Sequence, residues 1–76
     1  MYDKNIFSTR LKQLRELKGV STQKLADAIG LKSKGSITQF EKTMTSPSVD
    51  TLVAIADYFN VSLDYLVGRS NDQTKK

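Results

Sequence analysis

Ser36, Thr38, Gln39 and Lys42, with Lys34 and Gly35 just before them, are the residues of this 76-residue chain whose types and spacing suggest chemistry. At about 100° per residue, Ile37 and Phe40 form an inward stripe. Gly35, Thr38, Gln39 and Lys42 then point the opposite way, with Lys34 and Ser36 on the flanks. A helix over residues 33–42, capped by Ser33, therefore shows a small, polar and basic outer face. Such a face has the donors and acceptors to read base edges in a DNA major groove. A Gln amide pairs with adenine, hydroxyls reach either base type, and lysine reaches guanine or phosphate. The same side chains also suit an ordinary solvated helix face. The rest of the chain decides between the two.

Catalysis finds little to work with. The chain has no histidine and no cysteine, so the usual general base, thiolate nucleophile and zinc ligands are missing. Its carboxylates are scattered one at a time. No enzyme activity, metal, cofactor or small-molecule substrate is expected. The formal net charge is +4, and its distribution says more than its total. Residues 1–42 hold nine Lys/Arg against four Asp/Glu (+5), and residues 43–76 three against four (−1). The basic half contains the polar helix face, which suits a polyanionic partner. The most apolar stretch, residues 52–59, is interrupted by Asp57 and far too short to span a bilayer. The expectation is a soluble, cytoplasmic protein without a membrane partner.

The elements that must hold this face follow from periodicity. Over residues 5–18, Phe7, Leu11 and Leu14 repeat at helical spacing amid charged residues, and Gly19 ends the pattern. Arg15 lies beside that apolar stripe, placed to meet a half-buried carboxylate. A second helix has Ser21 and Thr22 as cap candidates, Leu25, Ala26 and Ile29 as its buried side, and Gly30 as its stop. After the reading helix, residues 42–48 form a loop by their hydroxyls and Pro47. Ser48 caps a fourth helix carrying Val49, Leu52, Val53, Ala56 and Phe59, which Asn60 ends. Ser62 caps a short fifth holding Leu63, Tyr65, Leu66 and Val67 before Gly68. The expected fold is all-α, five short helices in one compact domain.

Four segments in this order, RLKQLRELKGVS, QKLADAIGL, SITQFEK and PSVDTLVAIADYFNVSLDYLVG, resemble the lambda-repressor-like, Cro/CI-type helix-turn-helix family over nearly the whole chain. The resemblance implies a helix-turn-helix domain over residues 1–68 and a DNA-binding transcriptional regulator that inserts the helix 33–42 into the major groove of an operator; residues 69–76 are too polar to fold and are expected as a disordered C-terminal tail. By position, Lys34, Gly35, Ser36, Thr38 and Gln39 would contact bases. Thr22, Gln23, Lys32, Ser33, Lys42 and Thr43 would contact phosphates. Arg15 and Glu41 match a structural ion pair joining the first helix to the end of the third. Leu63, Tyr65, Leu66 and Val67 would each either supply self-association as a homodimer, because one small domain buries too little for tight site-specific binding, or close the core. The setting it implies is the cytoplasm of a bacterium or a phage-infected host cell.

The chain departs from the family pattern in three places. The stretch from Gly30 to Glu41 is one residue longer than usual, so the extra residue lies in the turn or at the start of the third helix. Ser36 with Gln39 offers a capping box that would start the helix later, leaving the upstream residues in the loop. Where the family places a glycine and several basic residues after the glutamate, this chain has Lys42, Thr43, Met44, Thr45 and Ser46, which implies fewer phosphate contacts. These departures keep a second reading open: an antirepressor, modulator or antitoxin using the same fold to capture another regulator, such as a second phage repressor protein, with Met44 on its contact surface.

Overall fold

A computed structural model describes residues 3–31 and 34–74, with the Lys34 side chain also outside the description. Lys32 and Ser33, both expected at the DNA backbone, lie outside the described residues. The chain forms α1 (Lys4–Lys18), α2 (Thr22–Ala28), α3 (Lys34–Glu41), α4 (Val49–Phe59) and α5 (Leu63–Leu66), with no strand among the described residues.

Short polar side chains start four of the helices. The Asp3 carboxylate accepts from the N–H groups of Asn5 and Ile6 and begins α1. Ser21, Ser48 and Ser62 each accept from the backbone N–H three residues on, opening α2, α4 and α5. Each cap satisfies a donor that the first helical turn leaves without a carbonyl partner. Of the two cap candidates for α2, Ser21 is the cap and Thr22 the first helical residue. Because α3 begins at Lys34, Gly35 and Ser36 belong to its first turn, and the later start from a Ser36–Gln39 capping box does not occur.

All five helices end alike. A residue in the left-handed region turns the chain, and the next N–H bonds to the carbonyl five residues back. The turning residues are Gly19, Gly30, Thr43, Asn60 and Gly68, at φ of 73°, 84°, 60°, 56° and 88°. The following donors are Val20, Leu31, Met44, Val61 and Arg69, bonded at 2.8 to 3.1 Å to the carbonyls of Arg15, Ala26, Gln39, Ala56 and Asp64. Three of these five turns are glycine and one is asparagine, types that tolerate positive φ. Thr43 is the exception.

Every helix sends at least one fully buried side chain into one core: Phe7 and Leu11 from α1, Leu25 from α2, Ile37 from α3, Ile55 from α4 and Leu66 from α5. For two of the four residues weighed between self-association and core, burial favours the core. Leu66 has no exposed surface and Val67 is buried, so both close the core and offer nothing to a second subunit. The segment expected as a disordered tail also differs from expectation through residue 73. Arg10 donates to the carbonyls of Tyr65 and Ser70 and to Asn71 Oδ1, while Ser62 N–H and Oγ donate to the carbonyls of Gln73 and Asp72. Among the described residues no helix is long and apolar enough to cross a membrane.

Candidate nucleic-acid interface

The geometry of α3 is set from behind. Ile37 and Phe40 are buried, and the Phe40 ring packs against Phe7 with centroids 6.2 Å apart and planes tilted by 60°. Two contacts from α1 then grip the C-terminal end. The buried hydroxyl of Ser8 donates to the Phe40 carbonyl. Arg15 meets Glu41 as a fork, Nε to Oε2 at 2.6 Å and Nη2 to Oε1 at 3.2 Å, and its Nη1 donates to the Val20 carbonyl at 3.1 Å. The two side chains are only 16% and 10% exposed. Within such a site a two-pronged guanidinium–carboxylate pair fixes angle as well as distance. The hydrogen bond to Glu41 is the main cause holding the Arg15 guanidinium above its ordinary pKa, with the Glu41 and Glu16 charges adding and burial opposing.

The other side of α3 faces outward. Gln39 and Lys42 are exposed, and Gly35, Ser36 and Thr38 are half-buried along the same helix. Thr43, also half-buried, closes the helix at its positive φ, and its hydroxyl donates to the Lys42 carbonyl at 2.6 Å. The base-contact candidates with described side chains are therefore carried by one anchored helix, and Lys42 and Thr43 follow directly on it. At the start of α2, Thr22 is half-buried and Gln23 exposed. The Gln23 amide donates to Asp27 Oδ1 at 2.8 Å, turning it along its own helix. What the start of α2 offers an anion is backbone N–H groups that have no carbonyl partner within the helix.

Two contributors escaped the sequence reading. Ser8 carried no signal beyond being a small residue at a helix position facing Phe40. Arg10, one of the charged residues amid the α1 stripe, lies 4.0 Å over the Tyr65 ring while bonding to the chain beyond α5. Tyr65 is thereby covered on one ring face and accepts from Gln73 at its hydroxyl. Of the four expected self-association residues, Leu63 is exposed and Tyr65 half-exposed.

Residues 11–66 match the model of a helix-turn-helix family. The chain belongs to that family. Among curated helix-turn-helix relatives, it is 34% identical over 71 residues to the uncharacterized HTH-type transcriptional regulator YobD of Bacillus subtilis, covering 93% of this chain and 62% of that protein. It is 40% identical over 67 residues to the HTH-type transcriptional regulator SutR of Escherichia coli, covering 88% of this chain and 37% of that one. The chain thus spans less than two thirds of these relatives. Among solved structures, the P22 c2 repressor protein in complex with a synthetic operator superposes with a TM-score of 0.80 at 25% identity, covering 86% of this chain and 97% of that one. The N-terminal DNA-binding domain of SinR from Bacillus subtilis superposes with a TM-score of 0.74 at 28% identity, covering 82% of this chain and 90% of that one. The lambda-repressor-like resemblance and the all-α, five-helix fold agree with these findings. The family is a non-enzymatic one.

Proposed function

We propose that this helix-turn-helix domain binds operator DNA in a sequence-specific way as part of a transcriptional regulator, a Cro-like repressor that lays α3 in the major groove. The observation that carries this reading is the two-sidedness of α3. Its apolar side is buried and its end clamped by Ser8 and Arg15, while Gln39 stands exposed on a helix with no carboxylate except the engaged Glu41, and Lys42 stands exposed directly after it. The DNA-bound state of the P22 c2 repressor protein supports it. In this reading Lys34, Gly35, Ser36, Thr38 and Gln39 face base edges. Lys42, Thr43, Lys32, Ser33 and the backbone at Thr22 and Gln23 meet phosphates. Residues 1–68 carry the function, in a bacterial or phage-infected cytoplasm. Two copies on a palindromic site would supply the buried area that one lacks, with Leu63 and Tyr65 as the surface left to join them.

The test is a fluorescence-anisotropy titration of the chain against a duplex enriched from a randomised pool, with a scrambled duplex as control, at about 50 and 200 mM salt. The selected duplex should bind on the order of a thousandfold more tightly, and both affinities should fall steeply with salt. Failure of the selection to enrich any sequence would sink the reading. A second reading, capture of another regulator protein, is favoured by one observation, the 68% exposure of Met44 at the end of α3.

A further inference from the structure

We propose that Met44 is itself a DNA-contacting residue, laying its side chain on the apolar carbon surface of the groove wall next to the bases faced by Gln39. This rests on the operator-binding reading and deepens it.

The five helix ends make Met44 conspicuous. In the motif they share, the residue after the left-handed turn usually packs on the helix it has just left. Val20 and Val61 do so at 8% and 3% exposure, and Leu31 is half-buried against the core. Arg69 is polar and exposed. Met44 is the one apolar residue in this position that stays outside, at 68% exposure. A single exposed apolar side chain would be unremarkable by itself. Its place is what counts. The Met44 N–H bonds to the Gln39 carbonyl at 2.9 Å, which holds the Met44 backbone against the last turn of α3, the turn that includes the exposed Gln39. The turn that puts it there is made by Thr43, a β-branched residue at φ 60° where the other four ends use glycine or asparagine. Positive φ is unfavourable for such a residue, and residues held that way concentrate at functional surfaces.

Charge favours DNA as the occupant. No carboxylate occurs from Lys42 to Val49, and Glu41 just before is engaged by Arg15. Met44 is thus flanked in the chain by Lys42 and by the hydroxyls of Thr43, Thr45 and Ser46, a setting that accepts a polyanion closely. Between its phosphates that polyanion offers thymine methyls and deoxyribose carbons, which a flexible, polarisable thioether fits.

The experiment compares Met44→Ala with the parent chain on the selected and scrambled duplexes. The expected result is a roughly fivefold to tenfold weaker grip on the selected duplex, an unchanged salt slope because no charge is removed, and an unchanged melting temperature because the side chain is exposed. Replacing thymidines of the selected duplex one at a time by deoxyuridine separates the two carbon sources. A loss at one position, seen in the parent and absent in the variant, assigns a thymine methyl, and no loss at any position assigns deoxyribose. Equal binding of parent and variant to the selected duplex overturns the proposal and leaves Met44 to a protein partner. In that event the operator reading still stands if the parent discriminates between duplexes, and falls too if it does not.

Discussion

The two sides of α3 are built on opposite principles. Behind the helix, every feature favours a single geometry: Ile37 and Phe40 are buried, the Ser8 hydroxyl caps a carbonyl, and the Arg15–Glu41 fork holds the last turn. In front, the features are ones that folding alone would not choose: a glycine in the first turn, an exposed glutamine and lysine, a threonine at positive φ and an exposed methionine. One side fixes the helix, and the other is the side that the proposed function turns toward DNA. Substitutions behind α3 should therefore cost stability, and substitutions in front of it should change binding without costing stability.

The strongest way to break this comparison is Arg15→Ala, which strands the Glu41 carboxylate in a site about nine-tenths covered. It should cost about 2–3 kcal/mol and lower the melting temperature by roughly 10 °C or more, measured by circular dichroism. Replacing both partners together by apolar residues of similar volume should recover most of that loss, because no lone buried charge remains. The pH dependence follows from the direction of the shift. Arg15 sits above its ordinary pKa, so its contribution is complete below that value and is lost only as pH rises through the folded value, far into alkali. From about pH 6 to 9, the Arg15 share of stability should stay constant. A smaller effect of opposite sign sharpens the comparison from the front. Thr43→Gly removes the cost of a β-branched residue at positive φ and should raise stability by about 0.5–1 kcal/mol after the added chain entropy of glycine. A melting temperature that instead falls would mean that the Thr43 hydroxyl bond to the Lys42 carbonyl outweighs the backbone cost.

Much of the back of α3 was legible in the sequence, and much of the front was not. Helical periodicity marked Phe7, Leu11, Leu25, Ile37 and Phe40 as inward, and serine caps and left-handed stops marked most element ends, because these are local signals with one dominant cause each. The Arg15–Glu41 pair was legible through position within the family pattern; periodicity alone placed Arg15 beside the stripe without naming its partner. For Leu66 and Val67 the choice between core and contact surface was not legible, because α5 is a single turn, too short for a period to tell inside from outside. Thr43 was invisible as a turn residue, since its type argues against the conformation it adopts. The bonds of Arg10 and Ser62 to residues 70–73 join positions far apart in a polar stretch, and no local pattern announces them.

The most direct test of the central claim is Gln39→Ala, followed by melting temperature and by affinity for selected and scrambled duplexes at one salt concentration. The melting temperature should stay within the equivalent of about 0.5 kcal/mol of the parent. Discrimination should fall by roughly 1–3 kcal/mol at one base position, with scrambled-duplex binding intact. Unchanged discrimination would contradict the claim, and α3 would then be an anchored helix whose outer face does not read bases.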